Sequence, residues 1–198
     1  MKVAIVKYNA GNTGSVANAL RRLGVEPLIT DEADELAAAD KVIFPGVGEA
    51  SSAMRNLHGS GLDTVIPSLT QPVLAVCLGM QLLCANSNEN DTTCLGILPY
   101  TVRAFRNDDL KVPQIGWNNL SKLRSPLFAG IADKSWAYFV HGYFVETCDE
   151  TVAVSDYGTE FSAAIAVDNF FGVQFHPEKS GEVGERILKN FLNGCGNN

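Results

Sequence analysis

The chain has no two cysteines at CxxC spacing, and no apolar run approaches the roughly 20 residues that a membrane-spanning helix needs. It also lacks a long repeat, a low-complexity tract or a linker that would divide it. Its five cysteines (Cys77, Cys84, Cys94, Cys148 and Cys195) are odd in number, which fits neither a disulfide framework nor a zinc site and points to a reducing cytoplasm. Basic residues are few: 15 Lys and Arg against 22 Asp and Glu leave a formal charge of −7. Nucleic acid and anionic membrane are therefore poor main partners. The opening Met1-Lys-Val-Ala-Ile-Val6, followed by Lys7, is too short for a signal peptide and reads as a first strand.

What is present is ordinary globular composition, 46% hydrophobic and 19% charged over 198 residues, enough for one well-buried domain spanning 1–198. The first half alternates strand and helix signals. Apolar runs at 3–6, 27–30, 42–44 and 73–76 read as strands. Helical patterns follow a glycine-bearing turn at 9–14 (with Val16, Ala19, Leu20 and Leu23 on one face), and recur at 49–57, 63–69 and 78–85. That alternation implies right-handed βαβ units and a mostly parallel open sheet with helices on both faces. The second half is strand-rich at 101–105, 112–123, 136–145, 151–155 and 161–175, with Asp168-Asn169 as a hairpin turn, and reads as an antiparallel extension. A last helix begins at Gly181, with Val183, Ile187, Leu188, Phe191 and Leu192 inward.

One segment, Pro72-Val-Leu-Ala-Val-Cys-Leu-Gly-Met-Gln-Leu-Leu83, passes from an apolar strand through Cys77 directly into a helical pattern. A side chain on such a turn is pushed out beside a helix N-terminus, where a thiolate is favoured. A lone cysteine after a strand is more often buried and inert. Three neighbours alter that balance: Leu78 supplies an amide for an oxyanion, Gly79 admits a second backbone, and Pro45-Gly-Val-Gly48 presents further amides at another strand end. Of the three histidines, His58 lies in a polar loop-like context and His141 reads as a satisfied structural histidine in or beside a cleft. His176 precedes Pro177, which forces extended backbone, and Glu178 two residues on can point the same way. Nucleophile, base and orienting carboxylate are the parts of a covalent acyl-transfer site.

Cys77-Leu-Gly-Met-Gln81 together with His176-Pro-Glu178 resembles the class I, triad-type glutamine amidotransferases along essentially the whole chain. Pro45–Gly48, Gly116-Trp-Asn118, Tyr138-Phe-Val-His141 and Gly172-Val-Gln-Phe-His-Pro-Glu-Lys-Ser180 narrow the resemblance to the glutaminase subunits of imidazole glycerol phosphate synthases. The resemblance implies a glutaminase with a Cys77-His176-Glu178 triad, no metal and no cofactor. It implies an oxyanion hole from Leu78 and from Gly46, Val47 and Gly48, and glutamine binding by Gln81, Glu89, His141 and Gly142. It further implies a heterodimer with a (β/α)₈-barrel cyclase of histidine biosynthesis, with Asn12, Trp117 and Asn118 near the interface. Four positions depart from the family pattern: Ala75 for a glycine, Gln114 for a histidine, Gly142 for serine or threonine, and Lys7 for an acidic residue. Competing readings are a glutaminase serving another synthase, for vitamin B6 or purines, a non-catalytic binding or redox module built on Cys77, and a Cys–His peptidase.

Overall fold

The computed structural model describes residues 1–9, 11–106 and 110–195; Ala10, within the expected 9–14 turn, lies outside them. The elements run β1 (Val3–Val6), α1 (Thr13–Arg22), β2 (Leu28–Thr30), α2 (Ala33–Ala37), β3 (Lys41–Gly46), α3 (Ala50–Ser60), α4 (Leu62–Ser68), β4 (Val73–Cys77) and α5 (Leu78–Leu82). There follow β5 (Cys84–Ser87), β6 (Thr92–Thr93), β7 (Leu98–Ala104), β8 (Gln114–Asn119), β9 (Trp136–His141), β10 (Tyr143–Phe144), β11 (Thr151–Asp156), β12 (Glu160–Val167), β13 (Phe170–Val173) and α6 (Gly181–Gly194).

Strands β1, β3 and β4 are buried along their whole length, as parallel strands covered on both faces must be. They belong to a seven-stranded sheet ordered β11-β12-β13-β4-β3-β1-β2, parallel from β13 to β2 and antiparallel at β12 and β11. Alternate side chains feed two cores. Val3, Ile5, Ile43, Leu74 and Val76 pack with α1 and α6, while Ala4, Val6, Val42, Phe44 and Val73 pack with α2, α3 and α4. The fold is thus the expected α/β sheet with helices on both faces and an antiparallel edge. Two smaller sheets, β10-β7-β5-β6 and β8-β9, stand beyond it. Among the described residues no helix is long and apolar enough to cross a membrane.

Several expected boundaries are corrected. The helix expected over 78–85 stops at Leu82, because Cys84–Ser87 pairs as a strand with β7 and β6. Sheet partners in β7, 14 or 15 residues on (Cys84 with Leu98, Asn86 with Thr101, Ser87 with Val102), outweigh the local helical pattern there. The 136–145 stretch breaks at Gly142 into β9 and β10, which join different sheets, and the 112–123 stretch keeps only Gln114–Asn119 as strand. Helix α2, too short for its periodicity to register, was not expected at all.

Candidate active site

Cys77 is the last residue of β4 and caps α5, with φ 54° and ψ −111°. Such positive φ is costly for a residue with a Cβ and persists only where the surroundings impose it. They do so here through close backbone packing: a Cβ at Gly79 would lie 2.2 Å from the Phe44 carbonyl oxygen, and one at Gly46 would lie 2.3 Å from the Gly79 nitrogen. Glycine at both positions lets β3 and the first turn of α5 meet, which sets Cys77 beside the Pro45–Gly48 turn. Gly46 pairs with Cys77 in the sheet and is not among the residues lining the cavity, whereas Val47 and Gly48 line it.

The partner strand brings the histidine. Strand β13 runs parallel to β4 with Val173 opposite Val76, so the residues just past β13 arrive level with Cys77. The His176 amide donates to the Tyr138 carbonyl at 2.8 Å, and Ser180 Oγ donates to the His176 carbonyl at 2.6 Å while accepting from the Tyr138 amide at 2.9 Å. The His-Pro-Glu turn is thereby pinned to β9. His176 Nδ1 lies 2.9 Å from Glu178 Oε1, and both side chains are buried, at 5% and 1% exposure. Burial works against a charged ring at His176, but hydrogen bonds to Cys77 and Glu178, reinforced by their charges, prevail and raise its pKa to about 10.

Cys77, His176 and Leu78 open onto a cavity of about 490 Å³, also lined by Gln81, Glu89, His141 and Gly142. Glu89 reaches it from a 3₁₀ turn rather than a free loop, and its Oε2 accepts the Ala50 amide of α3 at 2.7 Å. Partial burial raises the Glu89 pKa, against that hydrogen bond, and Glu89 has no ion-pair partner among the described residues. A carboxylate so placed favours a bound cation. Gln81 is buried, and its Nε2 donates to the Tyr143 carbonyl (2.9 Å) and to Gln174 Oε1 (3.0 Å), so its own Oε1 is what remains for a ligand.

His141 is buried with both ring nitrogens engaged: Nδ1 with the Tyr143 carbonyl at 2.8 Å and Nε2 with the Gln114 side chain at 2.9 Å. Desolvation lowers its pKa to about 4, so the ring is neutral and carries its proton on Nδ1, opposite an oxygen that can only accept. The Gln114 contact is then a hydrogen bond only with the amide turned to present its NH₂ to Nε2. His141 walls the cavity but offers a ligand no free ring nitrogen. His58 is exposed and pairs with Asp63 at 2.6 Å, away from the site.

The remaining expected positions lie on the surface. Asn12 caps α1, its side chain accepting the Ser15 amide at 3.1 Å. Trp117 is 52% exposed and Asn118 donates to the Asp156 carbonyl at 2.7 Å. Trp117 shares its face of β8-β9 with exposed Ile115, and Trp136 is exposed on β9; the sequence pattern singles out neither of these two. Of the departures, Lys7 forms an exposed ion pair with Asp31 at 3.7 Å, and Ala75 is wholly buried in the core. Gln174 also carries a signal in the sequence, as a lone glutamine in the apolar run Gly172-Val-Gln-Phe175.

A family model described as glutamine amidotransferase class-I matches residues 4–195. The imidazole glycerol phosphate synthase subunit HisH of Bacteroides fragilis is 56% identical over 194 residues, covering 97% of this chain and 99% of that protein. HisH of Bacteroides thetaiotaomicron is 53% identical over 195 residues, with coverage of 97% and 99%. Among solved structures, PurLQS from Thermotoga maritima aligns with a TM-score of 0.72 at 20% identity, with 97% of each chain covered. A glutamine amidotransferase from the same organism aligns at 0.63 and 18% identity, covering 97% of this chain and 82% of that one. At such identities the structural likeness speaks for the fold alone.

Proposed function

The chain belongs to the class-I glutamine amidotransferase family, and from that premise we propose that it works over 1–198 as one glutaminase domain feeding ammonia to a synthase partner. The observation that carries the reading is the placement of His176 between Cys77 and Glu178 at the floor of the cavity. Cys77 Sγ attacks the side-chain carbonyl carbon of glutamine, and the electron pair moves to the carbonyl oxygen. The Leu78 amide and amides of the Gly46–Gly48 turn hold that oxyanion; each such donor is worth about 10²–10³ in rate. Collapse expels the nitrogen, which takes a proton from His176 and leaves as ammonia. His176 then takes a proton from water, the resulting hydroxide equivalent attacks the thioester, and glutamate departs as the thiol is restored. Glu178 orients the ring throughout. Gln81 and Glu89 hold the glutamine end groups, Glu89 taking the α-ammonium, with the walls at His141 and Gly142 completing the fit.

Ammonia in water becomes ammonium, which is no nucleophile, so the product must be handed over under cover. The apolar face of Ile115, Trp117 and Trp136 suits a docked protein, and in this reading Asn12 and Asn118 belong to the same interface. The relatives named as imidazole glycerol phosphate synthase subunits support a synthase partner; in this reading that partner is a (β/α)₈-barrel cyclase, in a cytoplasmic heterodimer of histidine biosynthesis. There the ammonia reacts with a phosphoribulosyl-formimino nucleotide to give imidazole glycerol phosphate and an aminoimidazole carboxamide ribotide. Gly48, at φ 101°, leaves the oxyanion turn free to change its peptide orientation, so glutamine turnover is expected to rise when the partner binds its nucleotide.

The test is glutamate release by the chain alone, with partner, and with partner and nucleotide. Cys77→Ala should abolish glutamine hydrolysis and leave ammonia-dependent synthesis intact; loss of both would mean that Cys77 is structural. A diazo-ketone mimic of glutamine should label Cys77, and failure to label would favour a non-catalytic module.

A further inference from the structure

Beside Cys77 lies a polar chain that the triad does not use, running from Tyr143 and Gln81, which line the cavity, to Gln174, which does not. Gln174 is wholly buried, its Nε2 is 3.7 Å from Cys77 Sγ, and its Oε1 accepts from Gln81 Nε2 at 3.0 Å. Gln81 Nε2 also donates to the Tyr143 carbonyl at 2.9 Å. That carbonyl has no hydrogen to give, so Gln81 must turn its NH₂ toward it, and the second hydrogen of that NH₂ meets Gln174. Gln174 must in turn present its oxygen to Gln81 and its own NH₂ to the sulfur. A backbone carbonyl thus dictates, through two side-chain amides, that the Gln174 group facing Cys77 is a donor.

On the other side Cys77 Sγ lies 3.6 Å from the Val140 carbonyl, which can only accept. The two neighbours therefore suit different forms of the sulfur. A thiol gives its proton to Val140, whereas a thiolate is repelled there and takes the hydrogen of Gln174. We infer that Gln174 is a catalytic residue of this site, its side-chain NH₂ holding the negative charge of the Cys77 sulfur where water does not reach. The inference rests on Cys77 being the nucleophile. A hydrogen bond to a buried charge outweighs one between neutral groups, and its loss corresponds to a factor of about ten to a hundred.

The test compares wild type with Gln174→Met, which keeps the volume without the donor, and Gln174→Glu, which keeps the acceptor for Gln81 but sets a carboxylate oxygen against the sulfur. Rates are read on the full chain with its partner and nucleotide. Gln174→Met is expected to lower kcat about tenfold to a hundredfold, whatever the lost acceptor of Gln81 adds to the glutamine KM, and to slow alkylation of Cys77 by iodoacetamide at neutral pH in proportion. Gln174→Glu should be slower still. If Gln174 only braced Gln81, the Glu variant would match wild type and the Met variant would raise KM with kcat unchanged; either result overturns the assignment. Should neither variant fold, the Gln174 NH₂ followed by ¹⁵N NMR in wild type carries the test. It should shift over the pH range in which Cys77 alkylation accelerates, and a flat signal there overturns the donor role. A wild-type protein that neither alkylates at Cys77 nor turns over glutamine would instead sink the glutaminase reading and leave a polar chain without a nucleophile.

Discussion

Two histidines wall the same cavity and sit in opposite electrical surroundings. His176 faces a thiol and a carboxylate, which overcome its burial and raise its pKa to about 10. His141 faces a backbone carbonyl and an amide, so burial outweighs the single hydrogen bond to the carbonyl and its pKa falls to about 4. Both rings are within 5% of full burial. The difference lies in what they touch. A ring between an ionisable sulfur and a carboxylate can pass a proton; one between two neutral groups holds its tautomer and supports the wall. His141 and Gln81 share the Tyr143 carbonyl, so the neutral ring also helps set the polarity of the chain that ends at Cys77.

Replacing each ring and its partners sharpens this contrast, and the largest effect is expected at His176. His176→Ala should lower glutamine kcat by about 10²–10⁴, the usual contribution of a general acid–base, measured as glutamate release by the activated complex. Loss below tenfold would mean that another group moves the proton. Glu178→Gln keeps the shape but not the charge, and kcat should fall about tenfold to a hundredfold, the decrease being steepest at high pH, where the ring is no longer held protonated. His141→Gln should change turnover by less than about tenfold, because only bonds between neutral groups are lost; a loss as large as that of His176→Ala would erase the distinction.

Stability against pH separates the rings in a second way. His176 titrates higher in the folded chain than its ordinary 6.5, so its contribution is complete below about 6.5 and is lost as pH rises through about 10. Thermal melts should show that loss in wild type, and in Cys77→Ala, lacking the sulfur partner, it should be smaller and complete at lower pH. His141 titrates lower when folded, so the unfolded chain binds the extra proton and stability falls as pH drops from about 6.5 toward about 4. His141→Gln should flatten that acid limb, the smallest of these effects. Equal acid limbs in the two proteins would show that the ring is not held neutral by the fold.

The triad and its neighbouring turns were legible because their demands are local. Cys77 needs a strand-to-helix turn with glycine beside it, and His-Pro-Glu needs a proline that ends a strand. The apolar runs of β1, β3 and β4 marked the sheet for the same reason, since a strand covered on both faces has no polar side to disguise it. By contrast, the end of α5 at Leu82 and the break at Gly142 follow from which strands those segments meet. No window of neighbouring residues contains that information.

By itself, then, the amino-acid order settled the kind of fold and which side chains have reactive chemistry, because propensity, periodicity and turn residues act over a few positions. Tertiary structure alone decided that Gln174 reaches the sulfur, that the tryptophans face outward and that the pKa of one buried histidine is raised while that of the other is lowered. The placement of Gln174 and His176 depends on parallel pairing of strands about a hundred residues apart in the chain, and that of the tryptophans and His141 on the antiparallel pairing of β8 with β9. A proton's affinity and an amide's orientation are set by the atoms that such pairing brings within a few ångströms.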